Sequence, residues 1–335
     1  MIQPIFPNKL KPGDEVRVVS PATSLSAIPS QQITAAVSRM TQMGLSVSFA
    51  ENAKEVDEFI SSSIASRVED LHRAFADEKV KAIFTTLGGF NSNQLLEYLD
   101  YSLIARHPKI LCGFSDITAL ACSIFTKTGL VSYSGPHFAT FGMEKGFTYI
   151  DKYVRQCLMS DEPFEVSLSD YWSNDQWFSD QINRHFYPNE GYWVLQKGHA
   201  EGVSIGGNLC TLNLLQGTEF MPPLDGAVLL IEDDHMSNPF IFDRDLQSLL
   251  QLPDAGGLKG VMIGRFEKVS GMRRPLLEQI IASKKRLKGI PVVANADFGH
   301  TTPMFTFPIG GNVRLQAEND GVLFQILSRK SEGIA

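Results

Sequence analysis

The strongest constraint on the fold is an alternation of short apolar runs and helical segments between residues 15 and 133. Residues 15–20, 45–49, 82–86, 110–113 and 131–133 read as strands. Between them, 33–43, 66–76, 93–99 and 117–128 carry helical spacing, and Gly44 stands where the first of these helices stops. Parallel strands need a crossover between them, so this rhythm predicts an α/β fold with a parallel sheet covered by helices. In such sheets the chemistry collects beyond the carboxyl ends of the strands. Three loops qualify: 20–24, 87–93 and 113–116.

The second half reads differently. Residues 161–190 are rich in Asp, Ser, Asn and aromatics. They read as a linker and mobile loop, although Tyr171, Trp172 and Trp177 are bulkier than a solvated connection usually carries. Beyond it, strands at 227–232, 260–266, 291–294, 313–316 and 321–326 are joined by Gly and Pro turns, with helices near 242–252 and 275–287. The expected organisation is an amino-terminal α/β domain over 1–165, a linker and aromatic loop over 166–190, and a smaller mixed β domain over 191–335. A length of 335 residues suits two domains.

Composition narrows the function. A net charge of −7 argues against a nucleic-acid partner, which needs a basic face. The densest basic run, Lys284-Lys285-Arg286, reads as the solvated end of a helix. No run of about 18 apolar residues predicts a membrane span, and the opening MIQPIFPNKLKPGD lacks a signal-peptide core. Cys112, Cys122, Cys157 and Cys210 are widely spaced without a CxxC pair. Neither a zinc site nor a redox motif is expected, and the four read as buried thiols of a cytoplasmic protein.

The densest chemical signal is Gly113-Phe114-Ser115-Asp116, between an apolar strand and a helix. A sharp strand-to-helix turn would push the Ser115 hydroxyl out of the backbone, with Gly113 easing the turn. The usual second glycine of such an elbow is missing. On these residues alone, helix capping and nucleophilic catalysis weigh about equally. A serine nucleophile needs a base, normally an imidazole oriented by a carboxylate. Among seven histidines, His300 follows the strand at 291–294 through a loop of small residues, and His137 is the second choice. Glu232 ends the strand at 227–232, half out of the core, where a partner would make its charge tolerable. Asp233 and Asp234 follow it, but adjacent carboxylates on an extended chain diverge, so a metal site is not expected. Backbone donors for an oxyanion would come from Gly88 and Asp116.

Together, Gly13-Asp14, Ser20-Pro21, Gly88 to Leu96, Gly113 to Asp116, Ile205 to Leu209, Leu230 to Asp233 and Asp297 to His300 resemble the LD-carboxypeptidase family of serine peptidases. The resemblance implies a Ser115–Glu232–His300 triad, an amino-terminal domain like class I glutamine amidotransferases, a homodimer and no cofactor. One branch of that family trims the terminal D-alanine from murein tetrapeptides. Another resembles the microcin C immunity protein and cleaves aminoacyl-nucleotide conjugates. Leu87-Gly88-Gly89-Phe90-Asn91-Ser92-Asn93 looks like the immunity branch, in which a loop tryptophan stacks on the nucleobase. Trp172 and Trp177 both remain open for that role, and a stacked ring contributes about 1–3 kcal/mol per base. Gly89, Asn91 and Ser92 are expected to contact the substrate. Three readings follow: an immunity-type peptidase acting on small peptidyl-nucleotide substrates, a murein LD-carboxypeptidase, and a non-catalytic small-molecule binding protein.

Overall fold

A computed structural model describes residues 2–319 and 321–328, so the outermost ends of the two expected domains lie outside the described residues. Strands β1 (Glu15–Val19), β2 (Ser46–Phe49), β3 (Val80–Thr85), β4 (Ile110–Gly113) and β5 (Ser132–Ser134) lie parallel in the order β2-β1-β3-β4-β5. Helices α1 (Ser30–Gln42), α2 (Ile64–Ala76), α3 (Tyr101–Arg106), α4 (Thr118–Thr128) and α5 (Thr148–Met159) complete this half. Every residue of β4 is buried, which is why it reads as an unbroken apolar run. The Ser63 side chain accepts from the Ser66 N–H and starts α2, and Gly129 in the left-handed region ends α4. The helix expected at 93–99 is a 3-10 run, Ser92–Tyr98.

The second half contributes β6 (Phe164–Glu165), β7 (Tyr171–Trp172), β8 (Tyr187–Pro188), β9 (Trp193–Gln196), β10 (Gly198–Asn208), α6 (Leu209–Asn213), β11 (Ala227–Glu232), α7 (Pro239–Leu250), β12 (Gly260–Gly264), α8 (Arg274–Ser283), β13 (Val292–Ala296), β14 (Phe307–Ile309), β15 (Asn312–Ala317) and β16 (Val322–Ile326). Its main sheet runs β6-β16-β15-β10-β11-β12-β13-β9, parallel from β10 to β13 and antiparallel elsewhere.

Two differences from the sequence reading matter for the site. The second sheet has eight strands against six in the first, so it is not the smaller one. The sequence reading lacked β6, β9 and β10; β10 is central, and its four glycines and mixed polarity hide its strand character. In addition, β14 leaves the second half and pairs antiparallel with β5, closing the edge of the first sheet. The buried apolar residues accordingly form one continuous cluster through both halves. Cys112, Cys122 and Cys157 are buried as expected, whereas Cys210 on α6 is exposed. No helix among the described residues is long and apolar enough to cross a membrane.

Candidate active site

β4 ends at Gly113, and the chain turns through Phe114 into a 3-10 turn, Ser115–Ile117, that leads into α4. The turn is made at Ser115 itself, which has φ +59°. A non-glycine residue in that region is strained, as at a nucleophile elbow. Gly113 serves packing instead of turning: a Cβ there would lie 2.2 Å from Thr85 Oγ1.

α4 is held against the second sheet. Asn208 N–H donates to Thr118 Oγ1 at 2.9 Å, and a Cβ on Gly207 would stand 2.3 Å from the same oxygen. The Gly206-Gly207-Asn208 segment at the end of β10 thus lets α4, the helix after Ser115, approach closely. The neighbouring strand β11 ends in Glu232, and β13 runs into the loop that carries His300. That loop is braced from behind. Arg265 Nη1 donates to Asp297 Oδ1 at 2.5 Å with both side chains buried, and Arg265 Nε donates to Asn295 Oδ1 at 3.0 Å.

These elements converge. His300 Nε2 lies 3.0 Å from Ser115 Oγ, and His300 Nδ1 lies 2.7 Å from Glu232 Oε2. Glu232 is buried, while the His300 side chain keeps 19 % of its surface open to solvent. Burial works against charge on His300, but the Glu232 carboxylate and its hydrogen bond, with Asp234 and Glu267 nearby, raise its pKa to about 9. His137, the alternative base, is buried and does not bond Ser115. Burial, followed by repulsion from His300, lowers it to about 3.

Gly88 sits against Ser115, since a Cβ there would lie 3.1 Å from Ser115 Oγ. Among the described residues no acceptor is recorded for the Gly88 N–H. The rest of the loop is tied to the residue after Ser115. Asp116 Oδ2 accepts the N–H of Asn91 at 3.1 Å and of Ser92 at 2.9 Å, and Ser92 Oγ donates to the Asp116 carbonyl at 2.7 Å. Buried Arg67 donates to the carbonyl and side-chain oxygens of Asn91 and to Gln94. This corrects the expectation that Ser92 contacts substrate: it has no exposed surface and its polar groups are spent on Asp116. The Asn91 side chain oxygen accepts from Arg67, but the residue is only partly buried. Asn91, Gly89 and the 78 % exposed Phe90 line a cavity of about 490 Å³ with Thr23, Phe59 and Arg67.

The site's two halves match two family models. The LD-carboxypeptidase N-terminal domain covers residues 16–135 and the LD-carboxypeptidase C-terminal domain covers 201–315. The chain belongs to the LD-carboxypeptidase family of serine peptidases.

Within that family, the chain is 58 % identical to the putative carboxypeptidase YocD of Bacillus subtilis over 93 % of its length and 96 % of the relative's. The crystal structure of an MccF-like protein from Bacillus anthracis superposes with a TM-score of 0.96 at 51 % identity, covering 97 % of this chain and 100 % of that one. The microcin C7 self-immunity protein MccF in complex with aspartyl sulfamoyl adenosine superposes at 0.87 with 27 % identity, covering 97 % and 99 %. This LD-carboxypeptidase family member falls in the MccF-like branch.

The aromatic loop borders the His300 loop of this peptidase. Ser173 and Thr302 exchange backbone hydrogen bonds of 2.7 and 3.0 Å, so the segment read as a mobile linker is anchored here. Trp172 is half-exposed and lies near Arg265, Lys268 and the Tyr187 ring, at 5.0, 5.3 and 5.4 Å. Trp177 packs on the hydrophobic core, edge-on to Phe178. Arg67, Arg265 and Asp297 were missed as supporting residues. An arginine directly after the buried strand Gly260–Gly264 and an aspartate three residues before His300 were the signals available.

Proposed function

We propose that Ser115, His300 and Glu232 form a catalytic triad that hydrolyses an amide bond, with His300 as the base. The supporting observation is the position of His300, bridging Ser115 Oγ at 3.0 Å and Glu232 Oε2 at 2.7 Å. His300 Nε2 takes the Ser115 proton while Oγ attacks the scissile carbonyl. Glu232 holds Nδ1 and stabilises the imidazolium that forms. The N–H groups of Gly88 and Asp116 receive the oxyanion. His300 then protonates the leaving nitrogen, and a water activated by the same imidazole releases the acyl group.

The substrates in this reading are peptidyl- or aminoacyl-nucleotide conjugates. The MccF relative bound to aspartyl sulfamoyl adenosine supports this class. So does Trp172, whose ring can stack on a base beside the cation of Lys268. Trp172, beside Arg265 and Lys268, is assigned to that contact, and Gly89 to the acyl side. By family resemblance, the protein acts as a homodimer in the cytoplasm.

The test is turnover of the purified protein on aspartyl sulfamoyl adenosine and on an L,D-tetrapeptide, side by side. Faster release of D-alanine from the tetrapeptide would reassign the substrate to murein. Ser115→Ala should lower turnover by about 10⁴–10⁶ while folding normally. Undiminished hydrolysis in that variant would end the triad reading.

A further inference from the structure

A second imidazole lies beside the nucleophile, outside the triad. His137 follows β5 through Gly135-Pro136 and is 2 % exposed. Its ring centroid is 4.4 Å from that of Phe114, whose other side meets His300 at 5.2 Å. Its Nδ1 lies 2.7 Å from Thr85 Oγ1 at the end of β3. Its Nε2 is buried without a hydrogen-bond partner among the described residues. A buried polar atom left in that state costs about 1–3 kcal/mol and calls for a reason.

The direction of Nε2 supplies one. A Cβ on Gly88 would stand 3.5 Å from His137 Nε2 and 3.1 Å from Ser115 Oγ. The backbone at Gly88 therefore packs against both the Ser115 hydroxyl and this imidazole nitrogen. An oxygen held by the Gly88 N–H during attack by Ser115 is thus bound at the residue that adjoins His137 Nε2. The tautomer is tied to Thr85, whose Oγ1 lies 2.7 Å from His137 Nδ1 and 3.4 Å from the Cys112 carbonyl. A Thr85 hydroxyl that donates to Nδ1 leaves the imidazole's own proton on Nε2, the form taken here. Burial keeps the ring neutral, so it neither competes for the Ser115 proton nor repels the imidazolium of His300.

We propose that His137 is a catalytic residue whose Nε2–H donates to the substrate carbonyl oxygen as Ser115 attacks. The inference rests on the Ser115–His300–Glu232 reading. In the step, the Ser115 Oγ–carbon bond forms and the carbonyl π pair moves onto oxygen. The Ser115 proton passes to His300, and the His137 proton stays on its nitrogen. A neutral donor at this point stabilises the developing charge without needing to be reprotonated in each turnover.

The test compares wild type with His137→Met, which cannot donate, and His137→Gln, which can. His137→Met should lower kcat roughly 10²-fold, leave KM nearly unchanged and weaken a peptide boronate, which forms a tetrahedral adduct on Ser115, by a similar factor. His137→Gln should recover part of both losses. ¹⁵N NMR of the wild-type protein should place the neutral His137 proton on Nε2, a readout that survives even if a variant fails to fold. Unchanged kcat and boronate affinity in folded His137→Met, or a proton on Nδ1, would overturn the inference. Ser115→Ala run in parallel separates the two proposals: if it is inactive while His137→Met is unaffected, only the role of His137 falls.

Discussion

At the scale of residues, the proposed chemistry depends on an imidazole whose proton affinity is set by what surrounds it. Burial alone would lower His300, but Glu232, Asp234 and Glu267 raise it to about 9. A base must be unprotonated to act, so kcat/KM should climb with pH toward about 9, above the ordinary histidine value of 6.5. Glu232→Gln removes the nearest charge and should move that limb to lower pH while lowering the rate. A limb that stays in place would show that another group sets it. The sign for stability is the reverse. A raised folded-state pKa stabilises the protein below about pH 6.5, and the contribution fades as pH passes through 9. Gly299 makes a second residue-scale case. It has φ +103°, and a Cβ there would stand 2.7 Å from Glu232 Oε2. Gly299→Ala should cost about 1–3 kcal/mol in thermal unfolding and displace the carboxylate, lowering kcat.

At the scale of elements, two loops are rigid because charged side chains hold them from outside the reaction. Asp116 and Arg67 fix the loop from Leu87 to Asn93, and Arg265 with Asp297 fixes the loop before His300. Arg265→Met strands a buried carboxylate and should destabilise the protein by about 3–5 kcal/mol in denaturant titration, with kcat falling as His300 loses its register. A loss within experimental error would mean that Asn189 and the Ser169 N–H satisfy Asp297 without the arginine. Asp116→Ala releases the loop bearing Gly88. It should reduce kcat while labelling of Ser115 by a serine-directed reagent slows less, because the reagent depends on the hydroxyl and the turnover also needs the donor. The element scale also shows where the sequence was quiet. The 161–190 segment has no periodicity because its order comes from single anchors such as Ser173–Thr302, which repeat nothing.

At the scale of the molecule, the two sheets share one apolar core. β14 comes from the far end of the chain to cover β5, and one apolar cluster runs through both sheets. A fragment of residues 1–165 lacks that strand and exposes the edge of β5, so it should aggregate when expressed alone. The intact chain should unfold in a single cooperative transition by calorimetry. Two separated transitions would show that the halves hold themselves up independently.

The sequence alone determined what a few adjacent residues decide: the apolar runs of the parallel sheet, the glycine and cap stops of the helices, and the strand–turn–helix that presents Ser115. It also supplied the triad candidates, through segments resembling a known family. Only the tertiary structure decided which imidazole meets that hydroxyl, since Ser115 and His300 are 185 positions apart and their contact requires both sheets to be packed. It decided that the Ser92 side chain faces inward, that β10 is a central strand despite its glycines, and that β14 joins the other sheet. Periodicity and turn chemistry act over a few residues, whereas burial and partner choice are fixed only when distant elements close on one another.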